Sequence, residues 1–292
     1  MRRALLALYP QAWRRRYGDE LAALLEDDPP GPRATVDLVR GALMAHLHPL
    51  PGLTPAEGAS NAVLGPLACF ICFCFVGGGF AKATEDAPFR RATQTHSVIG
   101  ATHGVVEFAA FAAAVCLMLA AVPLAWRAVH AARQSGDRRL RRLVAMPPLA
   151  LGAVAATLGL LALVFRDHSH SPGVSGWLAL AIVAATSLGA GAVCWAAPRA
   201  IMRRLAWDAQ DLKLPVVAMA GVCACMLVMT TALATYLWAL LSDAPALASS
   251  GNGPLSVLDT KTLLALELLA MFVLSAMALV SVRRGLKGLR AA

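Results

Sequence analysis

Six stretches of this chain are apolar for long enough to cross a bilayer, and that fact removes most folds from consideration. A helix needs about 20 apolar residues to span a hydrocarbon core roughly 30 Å thick. Runs of that kind fall near residues 61–80, 104–126, 143–165, 177–197, 214–241 and 262–282. The fold class expected is therefore an all-α membrane protein: a six-transmembrane-helix bundle over 61–282. A short helical module at 1–50 precedes it and a basic tail at 283–292 follows. The fifth run is long and is expected to tilt or protrude.

The charges agree. Only 15% of the 292 residues are charged and 58% are hydrophobic, against roughly 25% charged in an ordinary soluble chain. The net charge of +9 invites a nucleic-acid reading, but the positions of the basic residues argue against it. Twenty-one of the 26 Lys and Arg lie in 1–60, 127–142, 198–213 and 283–292, and five (Lys82, Arg90, Arg91, Arg166 and Lys261) lie in the alternate segments. Basic residues collect on the cytoplasmic side of a membrane, so both termini are expected there, in a plasma (inner) membrane, with the bilayer as first partner and no nucleic acid. Trp126, Trp195 and Trp207 then fall near the inner interface, and Trp177, Tyr236 and Trp238 near the outer one, as aromatic belts do.

The seven cysteines, Cys69, Cys72, Cys74, Cys116, Cys194, Cys223 and Cys225, all lie within the apolar runs. No disulfide framework is implied. The spacing Cys69-x-x-Cys72-x-Cys74 reads as small apolar filler in a lipid-embedded helix. No phosphate-binding loop, nucleophile elbow or zinc-protease motif occurs, so neither catalysis nor a cofactor is expected.

The start of the chain is different in kind. In "LYPQAWRRRYGDELAALLED", Leu8 to Asp27, Pro10 suits a first helical turn. Trp13, Tyr17, Leu21, Leu24 and Leu25 recur at helical spacing as one apolar face, and Arg14, Arg15, Arg16, Asp19 and Glu20 cover the remainder. A later segment sets Val36, Val39, Leu43 and Leu47 on one face before His48-Pro49. Such a stripe has to be covered by the module's other helices, by the membrane surface or by another protein. The charged and aromatic residues available for a partner or the membrane surface are Trp13, Arg14, Arg15, Arg16, Tyr17 and Glu20.

Tyr9, Pro10, Trp13, Arg14, Arg16, Tyr17, Gly18 and Glu20 carry a pattern, Tyr-Pro-x-x-Trp-Arg-x-Arg-Tyr-Gly-x-Glu. It resembles the N-terminal prefix of a large group of actinobacterial multi-pass integral membrane proteins. Similar prefixes occur on permease-type proteins and on membrane partners of transcription regulators, including anti-sigma-like proteins. The likeness covers about 50 residues. It implies a non-enzymatic membrane regulator or scaffold that holds a cytoplasmic partner, a transcription regulator; the alternative is a permease-type subunit that works with a separate ATPase.

A second set of residues gathers at the outer side of the expected topology: His96, His103, Glu107, His168, His170 and Glu267. His103 and Glu107 are four apart and share a helix face if the helix reaches that far. His96 would stack two turns further out. Imidazoles and carboxylates at one depth bind a divalent cation or relay protons, which makes a cation- or proton-sensing site the third functional reading. A plainer reading stands beside it: carboxylates near helix N-termini are favoured by the macrodipole, and loop histidines are commonly solvated.

The topology has a direct test. In a cysteine-free background, Asp137→Cys is expected to be shielded from a membrane-impermeant maleimide in intact cells and His168→Cys to be labelled; the reverse pattern would invert the map.

Overall fold

A computed structural model describes residues 9, 11–27, 31, 35–38, 41–42, 55–164, 174–205, 207–208, 210–250 and 259–291. Helix α1 (Gln11–Asp27) belongs to the prefix. The membrane portion comprises α2 (Pro55–Glu85), α3 (Ala87–Thr95), α4 (Ser97–Ser135), α5 (Arg138–Val164), α6 (Val174–Arg204), α7 (Lys213–Asp243), α8 (Pro245–Ala248) and α9 (Thr260–Ala291). Six helices are long and apolar enough to cross a membrane, over Gly58–Ala81, Ser97–Ser135, Arg138–Val164, Ala181–Arg204, Lys213–Asp243 and Thr260–Leu286. Among the described residues there is no strand. The chain is a multi-pass membrane protein with the six-span, all-α architecture its hydropathy predicts.

The helices overrun the apolar runs. With 39 residues, α4 is about 58 Å long at 1.5 Å per residue, well beyond a core of roughly 30 Å. Helical hydrogen bonding continues into the polar interface after apolarity stops. Most of 127–142 is therefore helix, and the α4–α5 turn shrinks to Gly136 and Asp137. Gly136 closes α4 at φ +65°, a left-handed conformation that costs a residue with a Cβ but not glycine. Asp137 then starts α5, its Oδ1 accepting from the Arg139 N–H at 2.8 Å.

The expected outer loop between the first two spans also holds an element that hydropathy does not reveal. The short helix α3 buries Phe89 and Ala92 and turns Arg90, Arg91 and Gln94 outward. It packs on α4 and, to a lesser extent, α2.

The bundle is uneven. Helix α7 is its axis, packed by α4, α9 and α2 and burying Val216, Met219, Val222, Met226, Leu233 and Leu240 almost completely. Helices α2 and α9 form the most extensive contact, followed by α4 with α7. Helix α5 packs chiefly on α6 and only slightly on α4, and its apolar window has no buried residue. The α5–α6 hairpin is thus an outlying pair beside a four-helix core.

Small residues close the α2–α9 contact. A Cβ on Gly65 would strike Ser281, and one on Gly285 would strike Ala62. The Ser281 hydroxyl donates to the Asn61 carbonyl at 3.2 Å. Between α7 and α9, the buried hydroxyls of Thr230 and Ser275 meet at 3.2 Å. Lipid tails are as apolar as leucine, so close backbone approach and interhelical hydrogen bonds, not apolar burial, hold such helices together.

Of the five described residues expected in the aromatic belts, Trp126, Trp195 and Trp238 are exposed and two are not. Trp126 and Trp238 are about three-quarters exposed, at 77% and 74%. Trp207 and Tyr236 are buried inside the protein instead: Trp207 lies beneath Arg127 and Tyr236 edge-on to Phe80. The side chain of Trp177 lies outside the described residues.

Helix contact at Gly285 is expected to govern stability. Gly285→Ala brings a methyl onto the Cβ and backbone of Ala62, an overpacking that costs about 1–3 kcal/mol. Gly77→Ala points into open space and is expected to be neutral or stabilising by up to about 1 kcal/mol. Unfolding in mixed detergent micelles compares the two.

Candidate functional site

In the prefix, three aromatic rings stack along one side of α1. Tyr9 lies on Trp13 with ring centroids 4.2 Å apart, and Trp13 tilts against Tyr17 at 5.3 Å. The spacing of four follows the helical repeat, and Tyr9 sits just ahead of the helix, where an apolar residue staples the chain onto the first turn. Its hydroxyl donates to the Leu38 carbonyl at 3.1 Å, and Gly41 leaves room for that ring. The helical stretch 35–38, with Ala42 buried nearby, is thereby tied to α1.

So the module packs on itself. Trp13 and Tyr17 are half-buried, while Arg14, Asp19 and Glu20 are exposed. Val36, expected on the apolar face, is 66% exposed instead, while the Leu38 carbonyl and Gly41 of the same segment meet the Tyr9 hydroxyl. The side chains of Arg15, Arg16, Leu24 and Leu25, together with Pro10, Val39, Leu43, His46, Leu47 and His48, lie outside the described residues. Tyr9 is the residue that motif reading undervalues: its place before Pro10 marks it as a staple, but its hydrogen bond crosses 29 positions.

At the end of the bundle where α2 finishes and α4 begins, α4 does reach as far as His103. Its Nδ1 lies 3.7 Å from Glu107 Oε1. Glu107 is largely exposed, its side chain 71% accessible, on the rim of a recess of about 570 Å³ that His103 also lines. His96 does not join the α4 stack: the chain is extended there (φ −112°, ψ 112°), because His96 is the joint between α3 and α4. His168 and His170 lie outside the described residues.

Glu267 is set apart from this pair. It is buried between α9 and α2, with its carboxylate in the space that a side chain at position 79 would take. The Phe80 backbone N–H supplies one hydrogen bond. Glu267 Oε2 and the buried Tyr236 hydroxyl have no hydrogen-bond partner among the described residues. No group of three or more His, Cys, Asp or Glu able to hold a metal ion occurs among the described residues. Cys72 and Cys74 are exposed on α2 while Cys69 is buried, and all seven thiols are free.

A third cluster, at the end where α2 begins and α9 finishes, was not legible from motifs. Arg127 of α4 forms an ion pair with Asp211 and covers the Trp207 ring at 5.1 Å. Arg204, ending α6, reaches Asp137 in the α4–α5 turn at 3.5 Å. The Ser60 hydroxyl meets Met202 Sδ at 3.0 Å, linking α2 to α6. These contacts hold the α6–α7 connection and the outlying hairpin to the core. Basic residues that topology rules read only as orientation signals are here also structural.

No protein-family model, curated protein or solved structure matches the chain.

The staple has a pH signature. Burial raises the Tyr9 hydroxyl above its ordinary value, near 10. Its contribution is complete below that value, and is lost as rising pH passes the higher folded-state value and ionises the donor. Tyr9→Phe is expected to weaken the module by about 1 kcal/mol and to remove this alkaline transition. Near-ultraviolet circular dichroism of the aromatic stack follows both.

Proposed function

We propose that the protein is a non-enzymatic membrane scaffold whose N-terminal module holds a cytoplasmic protein, a transcription regulator, at the inner face of the plasma membrane. The observation that carries this reading is the closure of the module on itself. Tyr9, Trp13 and Tyr17 stack, and Tyr9 is fastened to Leu38. A module that covers its own aromatic spine need not bury it in lipid, and what it presents outward is a face of mixed sign, with Arg14, Asp19 and Glu20 exposed. Charges of both signs at an interface rim set orientation and exclude wrong partners more than they add affinity. The resemblance of the prefix pattern to that of anti-sigma-like membrane proteins supports the class of partner, and the excess of Lys and Arg in the segments at the chain-terminal end supports a cytoplasmic placement.

Affinity capture from detergent extracts of the native host tests it. Arg14→Glu combined with Glu20→Lys is expected to lower recovery of a sigma-type or DNA-binding regulator about tenfold or more, in line with the loss of a close charged pair. Trp13→Ala with Tyr17→Ala removes the spine and is expected to abolish recovery. Unchanged recovery in both variants overturns the scaffold reading; a co-purifying ATPase in place of a regulator transfers support to the permease-subunit alternative.

A further inference from the structure

Helices α2 and α4 hardly touch; they stand side by side with α3 bridging them at one end. The space between them is the recess of about 570 Å³, within the roughly 300–1,000 Å³ typical of sites for one small molecule. Its floor comes from the central helices: Met229 and Leu233 of α7 and Met271 of α9, all buried; the flexible thioethers of the two methionines adapt to irregular occupants. Its rims, Cys74, Gly78 and Ala81 on α2 and Glu107 and Ala110 on α4, are exposed. The groove therefore opens sideways, into the bilayer.

Three features identify what fits. The first is length. Along α2 the lining runs from Phe70 to Ala81, about 16 Å at 1.5 Å per residue, which is the depth of one leaflet of a core roughly 30 Å thick. The second is width. Gly77 and Gly78 have nothing within 4 Å of where a Cβ would stand, whereas the neighbouring Gly79 gives way to Glu267. Close helix packing accounts for Gly79 but not for Gly77 and Gly78; their missing side chains leave the groove open. The third is charge. Only the end beneath α3 is polar, and there Arg90 and Thr93 form the roof while His103 and Glu107 line the α4 side. A guanidinium matches a phosphate in geometry and sign, and the exposed Glu107 carboxylate opposite suits an ammonium.

We propose that this lateral groove is a phospholipid site: it takes one acyl chain from the adjoining leaflet, and places a phosphate at Arg90 and an ammonium at Glu107, as a zwitterionic phosphoethanolamine headgroup provides. The site is independent of the scaffold role assigned to the prefix.

Photolabelling of the reconstituted full-length protein tests this. Phosphatidylcholine vesicles would carry a phosphatidylethanolamine with a diazirine in its acyl chain, and adducts would be mapped by peptide mass spectrometry. Adducts are expected on the floor segments around Met229 and Met271, in excess over those on the lipid-facing side of α5 at Leu158 and Leu160. Gly77→Leu with Gly78→Leu fills the groove and is expected to remove the floor adducts while leaving those on α5 unchanged. Ala110→Phe narrows it from the α4 side and should act alike if the first variant fails to reconstitute. Arg90→Gln is expected to reduce labelling by the phospholipid about fivefold and to leave labelling by a diacylglycerol carrying the same diazirine unchanged. Floor labelling no greater than that of α5, or insensitive to both filling variants, overturns the site. An equal effect of Arg90→Gln on the two probes, or none, overturns the headgroup assignment.

Discussion

Inside a bilayer no water is present to satisfy a backbone N–H or C=O, and each one left unpaired costs several kcal/mol. That constraint makes every crossing segment of this protein a helix, and also removes the usual reason for helices to associate. Helix association must then come from close contact and hydrogen bonding. The α2–α9 seam shows how this is met: Gly65 faces Ser281 and Gly285 faces Ala62, so at each point only one small side chain separates the two backbones. The Thr230–Ser275 hydrogen bond extends the same logic to α7.

Where such contacts are absent, the bundle separates. Helices α2 and α4 lack a matching seam and leave a lateral groove between them, spanned by α3. Helix α5 leans chiefly on α6, and exposes Leu149, Leu151, Leu158, Leu160 and Leu163, side chains that a bilayer solvates without penalty. The outlying hairpin is closed at its polar end by Arg204 on Asp137 and tied to α2 by Ser60 on Met202, and the α6–α7 connection is held by Arg127 on Asp211 and Trp207. At that end the packing is polar because water and headgroups, not hydrocarbon, surround it.

The prefix is held by aromatic stacking rather than by small residues. Its helix carries an aromatic stripe that must be covered, and the module covers it locally, by stacking at intervals of four residues and by one long-range hydrogen bond from Tyr9 to Leu38. The apolar periodicity of Trp13 and Tyr17 was readable beforehand. The exposure of Val36 was not, since alternation along a short helix does not say which neighbour it will meet.

The amino-acid sequence alone determined the number of crossings, the helical character of each and the adjacency of His103 to Glu107. Those properties follow from local apolarity and from the 3.6-residue repeat, which act whatever the remainder of the chain does. The tertiary structure decided which face of each span turns inward. Within a span nearly every residue is apolar, so the pattern that separates inside from outside in a soluble helix is muted. That is why Glu267 is buried and Glu107 exposed, why Tyr236 and Trp207 leave the aromatic belts for the interior, and why Gly77 and Gly79, two residues apart, serve an opening and a contact. Inwardness in this bundle is a property of helix pairs, set by where small side chains let two backbones approach.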